Sequence, residues 1–313
     1  MADITKKIGA LDVFPLALGG NVFGWTADRD ASFAVLDAYV AGGGDFVDTA
    51  DSYSAWVAGN AGGESETIIG EWTASRRNRG DVVIATKGGR HPDRLGLAGP
   101  NLKAAVDDSL RRLRTDYIDL YYTHFDDTSV SVEEIITALD ELVAAGKIRE
   151  IAVSNIEPDR LEASLAFSER EGKARYVAIQ PEYNLVSRDV YEGPRRDIAQ
   201  RYGLVAVPYY GLASGFLTGK YRPGSAVDSA RAGRAGEYLA TEKGRRVLDA
   251  LDAVAAERGT AVATVALAWL AARPTVVAPI ASARTPEQVA PLLEAPRTEL
   301  TADQLRVLTE ASA

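Results

Sequence analysis

Four side chains able to hold or move a proton fall in the first half of the chain: Asp48, Tyr53, Lys87 and His124. Asp48 and Tyr53 share the stretch FVDTADSY, residues 46–53, which begins as an apolar run suited to a buried strand and breaks into carboxylates, a hydroxyl and a phenol. Alone, that stretch reads equally as a turn, because Asp and Ser are ordinary turn residues and Tyr often only packs. Lys87 after VVIAT is, alone, equally a surface lysine. As a set the four suggest more. A free phenol has a pKa near 10, too high to release its proton readily at neutral pH. A buried ammonium beside it favours the phenolate and makes Tyr53 the better acid. Asp48 supplies the counter-charge that lets the ammonium stay buried, and His124 can hold a carbonyl oxygen in line with the phenol. Such a site protonates an oxyanion as hydride reaches carbon. It contains no hydride donor, so it requires a cofactor.

The elements that must position these residues alternate without a break. A short hairpin over 1–13, turning near Gly9, precedes a strand at 14–19 and a helix over 29–41 that ends in three glycines. Strands follow at 45–49, 81–87, 117–124, 148–155, 176–184, 204–210 and 275–282, with helices between them. Ser131 and Glu134 form a capping box before the helix over 132–145, and Pro158 opens another helix at its first turn. The seventh and eighth strands are separated by a longer excursion with helices over 243–258 and 262–272. A last pair follows over 286–293 and 301–310. Eight strands alternating with helices imply parallel strands and right-handed crossovers. An open doubly wound sheet is the competitor, but eight units fit closure. The expectation is therefore one α/β domain over 1–313, a single (β/α)8 TIM barrel with an N-terminal β-hairpin and C-terminal extra helices. A barrel places functional residues at the C-terminal ends of its strands, and that is where Asp48, Lys87, His124, Ser154, Asn155, Gln180 and Tyr209 fall.

Composition removes several classes of function. The 313 residues carry a net charge of -9, which disfavours nucleic acid and anionic membrane as partners. There is no cysteine, hence no disulfide, thiolate nucleophile or thiolate metal site, and two histidines make no His-rich metal cluster. No stretch approaches the apolar length that spans a bilayer, and the N-terminus lacks a secretion signal. A soluble, cytoplasmic protein with no metal site is expected, its oligomeric state left open, a monomer included.

The motifs resemble the aldo-keto reductases. FVDTADSY is similar to that family's strand and loop with the catalytic Asp and Tyr, ATKGG to its lysine strand, and SLRRLRTDYIDLYYTHFDD to its histidine strand with the helix before it. AAGKIREIAVSN, QPEYNLVSR, PYYGLASGFLTGKY and PIASARTPEQV resemble the segments that hold the nicotinamide cofactor. The likeness covers residues 16–293 in order. It implies a carbonyl reductase acting on small aldehydes or ketones with NADPH, NADH being the alternative. It implies a catalytic tetrad of Asp48, Tyr53, Lys87 and His124. Ser154, Asn155 and Gln180 match the residues that bind the nicotinamide carboxamide, and Tyr209 matches the aromatic that stacks on its ring. Gly19, Gly20 and Asn21 match the first cofactor loop. Leu212, Ser214 and Lys220 match the strap over the pyrophosphate, and Arg284 with Gln288 the grip on the adenosine end. Arg284 would pair with a 2′-phosphate, which favours NADPH.

The chain departs from the pattern in three places. Tyr210 and Gly211 replace a small hydroxyl and a proline, which is expected to alter loop closure or cofactor affinity. Pro291 and Leu292 replace polar contacts to adenine. Ala152 replaces a glycine, a packing change. On the substrate side Trp25, Trp56, Phe125, Phe216 and the loop over 88–100 could form an aromatic wall, Trp25 standing out because it follows the cofactor loop directly; Trp25, Tyr53, His124 and Phe125 are the substrate-contact candidates. AGNAGGE is expected to be a mobile substrate-side loop and His91 a solvated loop residue. Two other readings stand beside the reductase. One is a cofactor-sensing binding protein like the potassium-channel β-subunits. The other is a metal-dependent barrel lyase or hydrolase, which needs Asp48, His124 and Glu182 to converge.

Overall fold

In a computed structural model describing residues 4–222 and 232–313, the chain winds into a barrel of parallel strands. Residues 1–3 of the expected hairpin lie outside the described residues. The hairpin pairs β1 (Lys6–Ile8) with β2 (Leu11–Val13) in antiparallel register. The barrel strands follow: β3 (Ala17–Gly19), β4 (Phe46–Asp48), β5 (Val83–Gly88), β6 (Ile118–Thr123), β7 (Ile148–Ser154), β8 (Tyr176–Gln180), β9 (Val205–Ala206) and β10 (Ile280–Ala281). They hydrogen-bond in the order β10-β3-β4-β5-β6-β7-β8-β9. The sheet closes where Ala206 N donates to the Thr275 carbonyl at 2.8 Å and Val277 N to the Ala206 carbonyl at 3.0 Å. Ile280 N adds a bond to the Pro208 carbonyl at 2.9 Å.

The last two barrel strands are shorter than the sequence suggests. Pro208 and Pro279 carry no N–H, so neither can donate to a ladder, and regular pairing shrinks around them. Pro181 likewise stops β8 at Gln180. The helix between β8 and β9 begins at Pro194, as α6 (Pro194–Tyr202), behind Gly193 at φ 99°.

Two apolar layers hold the barrel. Inside it, small and bulky residues interleave: Ala85, Ala152 and Ala178 beside Phe46, Leu120 and Tyr122, all buried. Ile8, Leu11 and Val13 of the hairpin join this inner cluster. The hairpin is therefore the plug of the barrel floor, and the strand mouths open at the other end. Ala152 sits in this layer with no exposed surface, in keeping with a packing role.

Outside the strands lie α1 (Arg29–Ala41), α2 (Glu64–Arg76), α3 (Gly99–Leu113), α4 (Val132–Ala144), α5 (Pro158–Glu171), α7 (Ala232–Ala240), α8 (Glu242–Arg258), α9 (Val262–Ala271), α10 (Val289–Glu294) and α11 (Ala302–Ala311). Their apolar faces pack on the strands through a second, larger core. The capping box expected at Ser131 is half present. Ser131 Oγ accepts from Glu134 N at 3.2 Å, but Glu134 Oε1 accepts from Gly99 N at 2.9 Å, tying α4 to the start of α3 instead. A complete box forms at α11 between Thr301 and Gln304.

Candidate active site

The end of β4 hands directly into the loop that carries Tyr53, and the neighbouring strand β5 brings Lys87 beneath it. Asp48 and Lys87 side chains are each 1% exposed, so both charges sit out of water and need partners. Lys87 Nζ donates to Asp48 Oδ2 at 2.6 Å, to the Thr49 carbonyl at 2.7 Å and to the Tyr53 phenol oxygen at 2.9 Å. An ammonium has three N–H groups, and all three are used. Burial pushes the Lys87 pKa down, and the adjacent Asp48 carboxylate opposes that. The second Asp48 oxygen accepts from Gln180 Nε2 at 2.9 Å. One amide hydrogen of Gln180, expected to serve a carboxamide ligand, is thus committed to holding Asp48.

The Tyr53 oxygen accepts from the ammonium, so the phenolic hydrogen is not used in that bond. The His124 ring stands 6.1 Å from the Tyr53 ring, centroid to centroid. Its pKa is held well below the usual imidazole value, by burial first and then by Lys87 and Arg90. The imidazole is therefore neutral at pH 7 and carries a single ring N–H. His124 Nδ1 is buried with no hydrogen-bond partner. The backbone places the ring: His124 N donates to the Gly88 carbonyl, and its own carbonyl accepts from Asn155 Nδ2, both at 3.0 Å.

A cleft of about 1140 Å³ opens over these groups. Asp48, Tyr53 and His124 line it, as do Gly19, Asn21, Ser154, Asn155, Gln180 and Tyr209. At its far end it is lined by Leu212, Ser214, Lys220, Arg284 and Gln288. Asn155, at φ 53°, bridges neighbours: its Nδ2 donates to Ser154 Oγ at 3.0 Å, and its Oδ1 accepts from the Tyr209 hydroxyl at 2.9 Å. Ser154 Oγ donates to the Gln180 carbonyl at 2.9 Å. The expected nicotinamide pocket is therefore one hydrogen-bonded unit spanning the ends of three strands. Asn21 Oδ1 accepts from Ser282 Oγ at 2.7 Å, joining the mouths of β3 and β10. A Cβ on Gly19 would stand 2.6 Å from that Ser282 oxygen, so a larger residue there would have to displace the serine hydroxyl. Gln288 Oε1 accepts from Arg284 N at 2.9 Å and shapes the turn that carries the arginine. The Arg284 and Lys220 side chains have no ion-pair partner among the described residues.

These residues suit an elongated ligand with an amide at one end and anionic groups at the other. The polar cluster around Asn155 can exchange hydrogen bonds with a carboxamide, and the unpaired cations can meet phosphates.

Several expectations need correction. Gly20 does not line the cleft; its N donates to the Asp48 carbonyl at 2.7 Å and fixes the strand end. Phe125 also lies outside the lining, with Arg90 over its ring at 5.3 Å. Phe216 is fully buried against Tyr238 and belongs to the core rather than to a substrate wall. Trp25 and Trp56 do line the cleft, edge to face at 5.6 Å. His91 is buried, and its Nδ1 accepts from Asp93 N at 3.1 Å as the cap of a short turn. AGNAGGE is pinned: Asn60 Nδ2 donates to the carbonyls of Gly24 and Ser54, and Glu64 accepts from Ala61 N and Gly62 N. Gly211 has a packing reason, since a Cβ there would stand 3.1 Å from the Ile280 carbonyl and from Leu267. Pro291 and Leu292 both line the cleft. Glu182 does not converge with Asp48 and His124; it pairs with Arg234 at 3.6 Å. Among the described residues no group of three or more acids and histidines could hold a metal ion.

Sequence reading did not single out Arg90, which lies in the 88–100 loop, and missed Arg234 in the lining. It also missed a second polar cluster behind the mouths of β4 and β5. Asp51 and Glu66 are both buried there, with Glu66 accepting from Thr86 Oγ1 at 2.5 Å and from Arg112 Nε at 2.6 Å. A signal for Glu66 was present, because it shares a helix face with Ile69, Gly70 and Thr73, all buried.

A closed β/α barrel with an acid, a lysine, a phenol and a histidine at one mouth, beside a long cleft lined by Lys220 and Arg284, defines a class: nicotinamide-dependent oxidoreductases of carbonyl compounds. Comparison with known proteins makes the assignment specific. The model of the Aldo/keto reductase family matches residues 15–313, and the chain belongs to that family. The chain is 32% identical to an aryl-alcohol dehydrogenase [NADP(+)] of Phanerodontia chrysosporium, over 96% of this chain and 83% of that protein. It is 31% identical to norsolorinic acid reductase B of Aspergillus parasiticus, over 96% of this chain and 81% of that one. The solved glycerol dehydrogenase AKR11B4 from Gluconobacter oxydans superposes with a TM-score of 0.85 at 26% identity, covering 99% of this chain and 95% of that one.

Proposed function

We propose that this protein reduces aromatic aldehydes and aryl ketones to alcohols with NADPH, and that Tyr53 is the proton donor. The observation that carries the reading is the Lys87 ammonium, fully buried and held 2.9 Å from the Tyr53 oxygen by Asp48. The bound nicotinamide supplies hydride to the carbonyl carbon. Tyr53 gives its phenolic proton to the carbonyl oxygen as negative charge grows there, and the O–H bond of the tyrosine becomes the O–H bond of the alcohol. Lys87 then faces the phenolate and stabilises it. His124, neutral, orients the carbonyl oxygen through a ring N–H without competing for the proton. Ser154, Asn155, Gln180 and Tyr209 would hold the nicotinamide, and Ser214, Lys220 and Arg284 would meet the phosphates.

Aromatic substrates are supported by Trp25 and Trp56 at the mouth and by the aryl-alcohol and norsolorinic acid relatives. NADPH is supported by the unpaired Arg284 and by the NADP(+) in one relative's name. The test is carbonyl-dependent oxidation of NADPH and NADH, run in parallel over a panel of aldehydes. Tyr53→Phe should lose roughly 10³-fold in kcat, within the usual range for a removed general acid, while NADPH still binds in a fluorescence titration. Full turnover by the phenylalanine variant would refute the proton-donor role, and equal rates with NADH would refute the cofactor preference.

A further inference from the structure

Arg90 follows Gly88 and Gly89 at the mouth of β5 and lines the cleft beside Tyr53, His124, Trp25 and Trp56. Its guanidinium lies over the Phe125 ring at 5.3 Å, and it makes no hydrogen bond or ion pair among the described residues. The other arginine near this end, Arg234, is already engaged by Glu182 at 3.6 Å and by the Tyr210 ring at 4.4 Å. Lys220 and Arg284 also line the cleft, and the reductase reading above gives both to the cofactor's phosphates. Among the described residues the only carboxylate in the lining is Asp48, and Lys87 and Gln180 occupy its oxygens. The substrate end of the cleft therefore carries one uncompensated cation. Its field reaches the reacting groups, because Arg90 contributes to the lowered pKa of His124 and acts against the rise at Tyr209.

We propose that Arg90 is a specificity-determining residue that selects aromatic carbonyl substrates bearing an anionic group, a carboxylate above all, on the part of the ring remote from the reacting carbonyl. The proposal rests on the reductase reading above and narrows its substrate class. A planar guanidinium resting on an aromatic face keeps its N–H fork directed and matches the two oxygens of a carboxylate. The substrate ring seated between Trp25, Trp56 and Tyr53 displaces water from the pair, which strengthens an attraction that bulk solvent would screen. The gain stays modest because Arg90 is exposed before substrate arrives.

The experiment compares 3- and 4-formylbenzoate with their methyl esters, which keep the ring and the aldehyde and lose the charge. The readout is the ratio of kcat/KM for acid to ester, so intrinsic differences in aldehyde reactivity cancel between variants. Arg90→Gln should lower that ratio about fivefold to tenfold, mainly through KM of the acid. Arg90→Lys should keep part of it, and salt should erode the ratio in the unsubstituted protein but not in the glutamine variant. A ratio unmoved by Arg90→Gln, with the esters still reduced, overturns this inference alone. A weakened NADPH affinity in Arg90→Gln would place the arginine on the cofactor and overturn it too. Turnover of neither acid nor ester would overturn the reductase reading, and this inference with it.

Discussion

Asp48 and Asp51 stand three positions apart at the same strand mouth and are each 1% exposed, yet the protein treats them in opposite ways. Asp48 faces the cleft, and each of its oxygens has a strong donor, Lys87 Nζ at 2.6 Å and Gln180 Nε2 at 2.9 Å. Asp51 faces back toward the helices. One of its oxygens accepts a single long bond from Gly89 N at 3.3 Å, and the other has no partner. Burial, reinforced by the Glu66 charge, pushes the Asp51 carboxyl up to about 7. The residue type and the burial are shared, so neither explains the difference; partners do. A buried carboxylate with a dedicated ammonium is a fixed charge, whereas one without is a group that keeps its proton.

The sharpest way to break the contrast is to remove the fixed charge. Asp48→Asn leaves the Lys87 ammonium buried without its counter-ion and should lower unfolding free energy by about 3 kcal/mol, read from urea titrations. The same change removes the group that positions the ammonium beneath Tyr53. Turnover should therefore fall roughly 10²-fold to 10³-fold, and near-normal kcat would show that the ammonium does not depend on Asp48. The rear cluster should separate these two effects. Glu66→Gln weakens the contact with Arg112 and leaves a buried network short of one charge, for a loss of about 2 to 3 kcal/mol in the same titrations. Glu66 does not line the cleft, so kcat should stay within about threefold. A larger loss of turnover would mean the two clusters act as one.

How legible each region was follows from what sets it. Asp48, Lys87 and His124 could be read from the sequence because each terminates an apolar strand run, and a barrel turns every such terminus toward one mouth. Ser154, Asn155, Gln180 and Tyr209 were found by resemblance, and the hydrogen bonds that fuse them into one unit could not have been counted from spacing. Arg90 fell inside the substrate-side loop over 88–100 but was not singled out, because nothing periodic marks a loop residue after two glycines. Phe216 and His91 were misplaced for the converse reason: loop side chains turn inward or outward by tertiary packing, which local pattern does not encode. Glu66 was hidden in plain view, an acid on the buried face of α2, because acids in a first helical turn are ordinarily solvent-facing. Tyr210 and Ser214 have φ of 56° and 58°, conformations that only the surrounding contacts hold in place.

The smallest effect expected is also the one most specific to the contrast, and it lies in pH dependence. In the unfolded chain Asp51 loses its proton near its ordinary value of 3.8, and in the folded protein it keeps that proton up to about pH 7. Between those values folding takes up a proton, so the stability this group contributes is full below pH 4 and drains away as pH rises through 7. An asparagine in its place cannot ionise and loses nothing over that window. Relative to the unsubstituted protein, Asp51→Asn should therefore gain stability with rising pH, by about 2 kcal/mol between pH 5 and pH 8. Glu66 and Arg112 face the same carboxyl with opposite signs of effect, and the backbone N–H groups of Gly89 and His91 act to lower it. The comparison should accordingly be repeated in Glu66→Gln, where the loss of the like charge lowers the Asp51 pKa and shrinks the slope. Urea titrations of both proteins at four pH values measure the difference directly. A difference that stays constant from pH 5 to pH 8 would mean that Asp51 is ionised throughout, a second fixed charge like Asp48 after all.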